Sequence, residues 1–585
     1  MTDIIIGIDL GTTNSEVALY ENGKVTVIEG DGGKIMPSFA GIDENGALLV
    51  GEAARNQYVV YPERTVKSIK RRMGENVRIA LGEQSYSPQE ISAILLKQLK
   101  AAAEKYVGAP ISKAVITVPA YFSDAQRLAT REAGEIAGLE VVKMINEPTA
   151  AALVYESGQQ GSRKVLVYDL GGGTFDVSVV AIEDDVIEVI SSHGNNHLGG
   201  DDFDQKLVEH LCDYLRLEHG VEALPPQAMA RIERAAETAK KTLSDHPFAM
   251  VEEEYLLEKD GMPLHLKVEI ARHDYEEMIE AYIDDTMEAV HQALRDAGLA
   301  ASDMDEILLV GGSTRTPLVR ERLEMDFGVT PRGEVDPDLC VASGAALQAA
   351  LINGSRIQSV LVDVTPYTFG TSALGELDGE FTPHLFVPLI KKNTPVPVSK
   401  SEVFYTAVHN QKAVDIKVCQ GEDRDARNNI EIGSFVVRGL SRVPAGNEII
   451  ASFSLDSDGI LHVGAREKAT GLEKSITIEN AMARFEENEL ARARDKVRRL
   501  FGEEAEDAAA DDGGAEAGKA EHAAVVQARL LIEKAEKLLD AAEEDDRLEM
   551  IELIEALQDG LAAGDTAGLR EPMDELSEII FYLES

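Results

Sequence analysis

The stretch Ile8-Asp9-Leu10-Gly11-Thr12-Thr13-Asn14-Ser15 leads from an apolar strand through an aspartate into a glycine-containing turn, after which hydroxyl residues follow. Glycine lets the backbone approach a ligand closely, and successive backbone N–H groups in such a turn can form an anion-binding nest. The aspartate suits a hydrated magnesium ion, which takes one or two carboxylates together with phosphate oxygens and waters. Alone, the stretch fits a phosphate site and an ordinary glycine hairpin about equally well.

A second copy of this pattern stands at Val167-Tyr168-Asp169-Leu170-Gly171-Gly172-Gly173-Thr174-Phe175-Asp176. The two copies of strand, Asp, Leu, glycine turn and Thr predict two similar lobes that face each other and offer hairpins to the same phosphates. A third glycine turn, VGGSTRTP at residues 310–317, follows an apolar strand and is expected to meet the nucleoside end. The GxxxxGK[ST] P-loop does not occur in the chain.

The composition narrows the classes of function. A chain of 585 residues predicts three or four structural units, and 44% hydrophobic residues suffice for several cores. The formal net charge of −47 argues against a nucleic-acid partner, which needs a basic patch. The same charge argues against adsorption to an anionic membrane.

Three cysteines, Cys212, Cys340 and Cys419, lie far apart, so neither a disulfide framework nor a CxxC metal site is indicated. The N-terminal residues lack the basic region of a signal peptide. No apolar run approaches the ~20 residues that a membrane span needs. We therefore expect a cytoplasmic protein without a membrane or nucleic-acid partner.

Residues 1–355 alternate between strand-like and helical patterns, which predicts mixed sheets covered by helices. The clearest predicted strands are Ile4–Ile8, Ala114–Val118, Val165–Tyr168 and Glu306–Val310. The clearest predicted helices are Pro88–Tyr106, Ser123–Ala137, Phe203–Leu217 and Ala228–Leu243.

Beyond the apolar segment Ser359–Val364 the hydrophobic period becomes two, as in Val414, Ile416 and Val418. Ile449–Leu455 alternates likewise before a turn at Asp456–Gly459. Residues 365–478 thus predict an antiparallel β domain of about eight short strands with one buried face.

The pattern turns helical from Glu486, is interrupted by an acidic stretch at Gly502–Gly518, and resumes from His522. In the last predicted helix an apolar stripe favours a bundle core over a partner site. Its members are Leu569, Met573, Leu576, Ile580 and Leu583.

Six collinear motifs stand out in the chain. They are IDLGTTNS (8–15), VPAYFSDAQR (118–127), INEPTAAAL (145–153), YDLGGGTFDVS (168–178), HLGGDDFD (197–204) and LVGGSTRTP (309–317). Together they make the chain similar to the 70-kDa heat-shock chaperone family, and to its bacterial DnaK-type members in particular. The short segment between Lys70 and Ser87 resembles the specialised HscC-type members.

The resemblance implies a multidomain fold. The expected order is an α/β actin-like, duplicated ribonuclease H-like ATPase domain (residues 1–356) and a linker (357–364), then a β-sandwich substrate-binding domain (365–480) and an α-helical lid (481–585).

The resemblance also implies an ATPase site that uses ATP/ADP and Mg²⁺, with K⁺ as a further candidate. Lys70, Glu147, Asp169 and Thr174 match the family's catalytic positions, and Asp9 and Asp169 match its magnesium-site carboxylates. The expected nucleotide contacts are Asp9, Gly11, Thr12, Thr13, Asn14, Gly171, Gly172, Gly173, Gly199, Gly200, Glu237, Lys240, Lys241, Ser244, Gly311, Gly312, Ser313, Arg315 and Asp338. Taken without their motifs, Lys70 and Lys240 would more often be solvated surface lysines.

Client polypeptides, a J-domain co-chaperone and a nucleotide exchange factor are the partners that the resemblance implies. Its peptide-binding positions are Thr371, Ala373, Leu374, Phe404, Ala407, Val414 and Ile416, and from sequence alone they suit a sandwich core equally well. Its interdomain coupling positions are Pro119, Arg127, Lys143, Asn146, Val360, Leu361, Val362 and Asp363.

Three functions are compatible with the glycine turns. An ATP-dependent chaperone opens its peptide site on binding ATP and closes it on hydrolysis, and is stimulated by a J-domain partner. A small-molecule kinase of the same superfold or a filament-forming actin-like protein has no use for residues 365–585.

Overall fold

The computed structural model describes residues 4–156, 161–183, 186–332, 335–355, 360–377, 379–477 and 487–503, with isolated helical positions, one or two residues at a time, between 535 and 576. Met1–Glu503 forms one compact unit and Glu504–Ser585 a second. The acidic stretch after Glu503, most of the predicted lid helices and Ser359 lie outside the described residues. Of the predicted apolar stripe, Leu576 is buried and Met573 half-buried, while the other three members are not described.

The first lobe is built on a mixed sheet with strand order β11-β10-β1-β2-β3, in which β4 pairs with β2. Its strands are β1 (Ile5–Leu10), β2 (Asn14–Glu21), β3 (Lys24–Val27), β4 (Met36–Pro37), β5 (Ala40–Ile42), β6 (Leu48–Val50), β7 (Thr65–Val66), β8 (Ile79–Leu81), β9 (Gln84–Tyr86), β10 (Lys113–Val118) and β11 (Glu140–Asn146). Its helices are α1 (Glu52–Tyr58), α2 (Pro88–Val107), α3 (Asp124–Ile136) and α4 (Glu147–Glu156), with 3₁₀ turns at Pro62–Arg64 and Ile69–Arg72.

The second lobe repeats this plan with strand order β17-β12-β13-β14. Its strands are β12 (Arg163–Leu170), β13 (Phe175–Glu183), β14 (Val186–Asn195), β15 (Phe248–Lys259), β16 (Met262–Ala271) and β17 (Glu306–Val310). Its helices are α5 (Gly200–His219), α6 (Pro226–Asp245), α7 (Arg272–Ala297) and α8 (Pro317–Phe327), with 3₁₀ turns at Ala301–Asp303 and Gly312–Arg315. Helix α9 (Cys340–Ile352) follows them in the chain but packs against α4 and against β1, β2 and β10 of the first lobe.

The two lobes share one strand topology. In each, two consecutive strands pair as an antiparallel hairpin, β1 with β2 and β12 with β13. A later strand lies parallel beside the first strand of the hairpin, β10 beside β1 and β17 beside β12. The two glycine motifs are the turns of these equivalent hairpins, so the repeat seen in the sequence is a repeat of structure.

The β-rich part consists, within the described residues, of two four-stranded sheets ordered β20-β19-β23-β24 and β22-β25-β26-β27. The strands are β18 (Val360–Val364), β19 (Phe369–Leu377), β20 (Glu380–Ile390), β21 (Pro395–Val396), β22 (Val398–Tyr405), β23 (Ala413–Gln420), β24 (Ile430–Arg438), β25 (Glu448–Leu455), β26 (Leu461–Glu467) and β27 (Glu473–Thr477). Strand β25 is buried at every second residue from Ile449 to Leu455, which confirms the alternation read from the sequence.

The β-rich part is joined to the second lobe by backbone pairing. Strand β18 lies parallel to β14, with Val360 opposite Val186, and β21 pairs antiparallel with β18. The six-stranded sheet that results runs from the second lobe into the sandwich.

Helix α10 (Glu487–Leu500) packs on the first lobe. Its residues Ala493 and Val497 are buried in one apolar cluster with Ile91 and Leu95 of α2. Among the helices of the described ranges, none is both long and apolar enough to cross a bilayer.

Most predicted elements are found within a few residues of their expected ends. Helix α5 differs at an end that lies close to the glycine turns, because it was predicted from Phe203 and begins at Gly200. The carboxylate of Asp202 accepts from the backbone N of Gly199 at 2.8 Å and caps the helix early.

Candidate functional site

The turns of the two equivalent hairpins touch each other. A Cβ added at Gly172 would lie 1.8 Å from Thr13 Oγ1, and one added at Gly173 would lie 2.6 Å from Thr12 Cγ2. Only a residue without a side chain fits at such distances. The sequence expectation that two lobes offer their turns to one place is therefore met by the geometry.

A small cavity of about 80 Å³ lies where these turns meet. Residues from both lobes line it, and most of them carry predicted roles. They are Asp9, Gly11, Thr12, Thr13, Asn14, Glu16, Lys70, Glu147, Asp169, Gly171, Gly172, Thr174, Gly311, Gly312, Pro337, Asp338 and Val341.

Lys70 and Glu147 form a buried ion pair in this cavity. Lys70 lies on the 3₁₀ turn of the first lobe, and its Nζ is 2.5 Å from Glu147 Oε1 at the start of α4. Burial lowers the pKa of Lys70, but Glu147 and Asp9 outweigh that effect and raise it above its ordinary value. The buried ammonium therefore keeps its charge.

The carboxylates around Lys70 are raised in pKa. Burial, and then the charge of Glu147, raises the pKa of Asp9 to about 7. The same two causes raise the pKa of Asp169 well above its usual range. Asp9 Oδ1 accepts from Thr117 Oγ1 at 2.8 Å, whereas the buried Asp169 Oδ2 has no hydrogen-bond partner among the described residues.

This set of donors fits a divalent cation. Two carboxylates with one orphaned oxygen, close to turns that suit phosphate, provide the oxygen ligands that Mg²⁺ prefers while leaving room for its waters. Additional positive charge would also favour the ionised forms of Asp9 and Asp169, whose pKa values are raised by burial first and by the charge of Glu147 second.

Each motif aspartate faces a second acid across its hairpin, a feature to which the sequence assigned no role. Asp9 pairs with Glu16 in the β1–β2 register, and Asp169 pairs with Asp176 in the β12–β13 register. Burial raises the pKa of Asp176 to about 7 and that of Glu16 well above its usual value. Glu16, an acid that directly precedes the apolar run Val17–Leu19, was the available signal.

A larger cavity of about 820 Å³ adjoins the small one. The predicted adenosine contacts among its lining residues are Glu237, Lys240, Lys241, Ser244, Gly312, Ser313, Arg315 and Asp338. Arg55, which carried no prediction, lines the same cavity and pairs with Glu237 at 2.8 Å. Burial opposes ionisation of Glu237, but Lys241 and Arg55 outweigh it and lower its pKa to about 2.

The remaining predicted glycines lie against this site. A Cβ at Gly200 would be 2.3 Å from Ser313 Oγ, and one at Gly199 would be 2.6 Å from the carbonyl carbon of Gly172. Gly311 has φ +79°, and a Cβ there would meet the Leu170 carbonyl oxygen at 2.4 Å. The third glycine turn thus closes on the second.

The predicted coupling residues meet at a different place, a cavity of about 370 Å³ between the lobes and the β-rich part. Arg127 donates to Asn146 Oδ1 at 2.7 Å, and Asn146 Nδ2 donates to Asp363 Oδ2 at 2.8 Å. Lys143 Nζ lies 3.2 Å from Asp458 Oδ1, a sandwich residue with no predicted role.

The other coupling positions flank this junction. Leu361 and Asp363 line its cavity, and strand β18 contains both together with Val360 and Val362. Pro119 accepts through its carbonyl oxygen from the backbone N of Phe122, a residue that lines the same cavity.

The predicted peptide-binding residues are divided between core and surface. Thr371 and Ile416 are buried, Phe404 and Val414 are half-buried against the sandwich core, and Ala373 is half-buried on β19. Leu374 and Ala407 are exposed. The peptide-binding role of this set remains a prediction.

Comparison with known proteins places this architecture. Residues 5–80 and 75–584 match the family described as "Hsp70 protein". The chain is 47% identical over 486 residues to the "Chaperone protein DnaK" of Thermotoga neapolitana, covering 81% of this chain and 80% of that protein. It is 46% identical over 507 residues to the proteins of the same name from Thermotoga petrophila and Thermotoga maritima, covering 85% of this chain and 84% of each.

Proposed function

The chain belongs to the Hsp70 family, and we propose that it hydrolyses ATP in the cavity between its two glycine turns. It is an Hsp70-type, ATP-dependent chaperone with ATPase activity, of a family that binds ATP or ADP with Mg²⁺ and acts on client polypeptides. The observation that carries the site is the convergence of Asp9, Lys70, Glu147 and Asp169, drawn from both lobes, on one cavity.

In the proposed reaction a water attacks the γ-phosphorus, the bond to the bridging oxygen breaks, and ADP and phosphate leave. Phosphoryl transfer needs mainly positioning and charge stabilisation. Lys70 keeps its proton because nearby carboxylates raise its pKa, and its ammonium stabilises the charge that develops on the phosphoryl oxygens. Glu147 is oriented by its bond from Lys70 Nζ and accepts the proton of the attacking water.

The two turns orient the phosphates through backbone N–H groups and hydroxyls, as an anion nest does. Asp9 and Asp169 would hold Mg²⁺, mostly through waters, and the bound ion supplies neutralising charge to the phosphate oxygens. Thr174, which lines the cavity, completes the catalytic set, and K⁺ is proposed as a second cation.

The adenosine is proposed to lie in the larger cavity between Lys240, Lys241 and Arg315. Lys241 is a compact ammonium on a flexible stem, so it stacks on a purine less well than the planar guanidinium of an arginine. Adenosine affinity is therefore expected to depend more on the ion pairs of Glu237.

We propose that the sandwich grips an extended apolar peptide and that β18 reports its state to the ATP site. The support is the pairing of β18 with β14 and the bonds that Asp363 accepts from Asn146 and Thr149. The same proposal includes domain bounds at residues 1–356, 357–364, 365–480 and 481–585, a J-domain co-chaperone and a nucleotide exchange factor. A cytoplasmic location is included too, supported by the acidic composition.

The experiment that tests this function measures ATP turnover with and without an unfolded apolar peptide and a J-domain protein. We expect slow hydrolysis alone and faster hydrolysis with either, and absence of stimulation by both would refute the coupled cycle. Lys70→Ala should reduce turnover at least 100-fold. Lys97→Ala, a lysine of α2 whose partner is Glu503, is the matched control and should hydrolyse normally.

A further inference from the structure

The short 3₁₀ turn that carries Lys70 begins from an unusual backbone conformation. Ser68, which precedes Ile69–Arg72, has φ 53° and ψ 31°, in the left-handed region that residues other than glycine seldom occupy. Its hydroxyl makes no capping bond to the turn. Instead it donates to Asp201 Oδ2 of the second lobe at 2.7 Å.

Asp201 connects three parts of the site at once. Its other carboxylate oxygen accepts from Thr13 Oγ1 of the first glycine turn at 3.1 Å. Its backbone N donates to the carbonyl oxygen of Gly172 in the second glycine turn at 2.7 Å. The residue lies in the first turn of α5, where the helix dipole favours a carboxylate.

Asp202, the next residue of α5, binds the chain on the other side of Lys70. Arg71 donates through both terminal nitrogens to the two carboxylate oxygens of Asp202, the forked arrangement that fixes orientation as well as distance. Ser68 and Arg71 flank Lys70, and both are bound to the start of α5 in the opposite lobe.

We propose that Ser68 and Asp201 are positioning residues for hydrolysis. They hold the 3₁₀ turn of Lys70 in the position from which its ammonium reaches the γ-phosphate. They can do so only when the second lobe has closed on the first. This inference rests on the proposed ATPase site, and it makes lobe closure a condition for the chemical step as well as for nucleotide retention.

A second set of bonds joins the two lobes nearby, through Glu233 of α6 and not through Asp201. Lys67 Nζ lies 2.5 Å from Glu233 of α6, and Tyr58 Oη donates to the same carboxylate at 2.8 Å. Both links border one cavity of about 390 Å³ between the lobes. The Glu233 link has no bond to either glycine turn among the described residues, so it should hold the lobes together without setting the position of Lys70.

The test compares single-turnover ATP hydrolysis with nucleotide release in the full-length chain. Ser68→Gly removes the hydroxyl but tolerates the positive φ, whereas Ser68→Asn tolerates this φ and restores a donor for Asp201. We expect Ser68→Gly to slow single-turnover hydrolysis about tenfold, the loss of one charge-assisted hydrogen bond. Ser68→Asn should recover most of the rate, and Glu233→Gln should speed nucleotide release while leaving the single-turnover rate within twofold.

Two outcomes would overturn the inference. One is wild-type single-turnover hydrolysis by Ser68→Gly, and the other is equal slowing by Ser68→Gly and Glu233→Gln. Asp201→Asn should slow hydrolysis at least as much as Ser68→Gly, because it also weakens the bond from Thr13 Oγ1. The double variant should be no slower than Asp201→Asn alone, because the bond between Ser68 and the Asp201 carboxylate is already lost in that single variant. Lys70→Ala decides the proposed function separately: if it hydrolyses normally the site itself is wrong, whereas if only Ser68→Gly is normal the positioning inference alone fails.

Discussion

Removing the charge of Lys70 should make the stability of the ATPase lobes depend on pH. Lys70 is the buried partner of Glu147, and Asp9 and Asp176 nearby have pKa values of about 7. In Lys70→Met the folded cluster lowers its excess negative charge by taking up one proton. In the unfolded chain an aspartate has a pKa near 3.9 and does not bind that proton above pH 7.

The size of the effect follows from those values. Lys70 lowers the pKa of Asp9 and of Asp176, so its removal raises both pKa values above about 7. A unit charge about 4 Å away is worth about 4 kcal/mol at an effective dielectric constant of about 20, more than the roughly 2.7 kcal/mol that carries a pKa from about 7 to about 9. Between pH 7.5 and pH 9 the folded variant therefore keeps a proton that the unfolded chain lacks, and each pH unit costs about 1.4 kcal/mol. Because the folded state binds more protons than the unfolded state, stability falls as pH rises, and Lys70→Met should lose about 2 kcal/mol between those two pH values.

Glu147→Gln in the Lys70→Met background supplies the control. The double variant lacks the carboxylate that the lysine neutralises, so it should need no additional proton and should show little pH dependence. Neutral replacement of both partners of a buried pair is commonly tolerated, whereas loss of one partner costs about 3–5 kcal/mol.

The assay is urea unfolding in magnesium-free buffer at pH 7.5, 8.25 and 9, followed by circular dichroism and tyrosine fluorescence, since the chain has 15 tyrosines and no tryptophan. Midpoints are compared at matched m values. A Lys70→Met curve that parallels wild type within about 0.5 kcal/mol, or a double variant with the same slope as the single, would refute the reasoning.

Three further predictions concern other parts of the molecule. In Gly172→Ala the new Cβ would lie 1.8 Å from Thr13 Oγ1, so ATP binding should weaken at least 100-fold in a fluorescent-nucleotide titration. Gly32→Ala is the control, because its Cβ would lie 3.5 Å from the nearest atom and should leave ATP binding unchanged. Equal ATP binding by the two variants would contradict the contact between the turns. Glu467 is buried, which raises its pKa, but bonds from Thr470, Asn447 and Ser441 outweigh burial and lower it to about 2, so it stabilises the sandwich above pH 4.5 and this stability is lost as pH falls toward 2. Glu467→Gln should lower the free energy of unfolding by about 2 kcal/mol at pH 7. In thermal unfolding it should also reduce the loss of stability between pH 4.5 and pH 2, and an unchanged loss would show that Glu467 is not its source. Asp363→Ala removes the acceptor for Asn146 Nδ2 and Thr149 Oγ1, so amide exchange in Val360–Val364 should quicken about tenfold, and unchanged protection would mean that strand pairing alone holds β18.

Local patterns predicted the elements well. Two Asp-Leu-Gly turns correctly indicated two equivalent hairpins, because an apolar run followed by glycine dictates a strand and a tight turn wherever it occurs. Period-two alternation from Ile449 to Leu455 indicated a sheet with one buried face, and those residues are buried. The start of α5 was missed by three residues because a side-chain cap at Asp202 acts on a backbone group that lies outside any apolar pattern.

The positions of Glu16 and Asp176 beside the motif aspartates could not be predicted from the motifs alone. Each faces its motif aspartate through the register of a hairpin, and register depends on which residues pair across the turn. Their raised pKa values arise from burial, which no single strand determines.

By itself the sequence determined the strands, turns and helices, the repeat of the phosphate turn, and the chemical types available at each turn. Dihedral preference and burial of one face act over a few residues, so they can be read directly from the chain. Only the tertiary structure decided that Lys70 pairs with Glu147, 77 residues away, and that Asp201 meets Thr13 across 188 residues. Such contacts exist because two separately built lobes close on each other, and the turn at Asp9–Thr13 becomes half of a site only when its counterpart at Asp169–Thr174 lies against it.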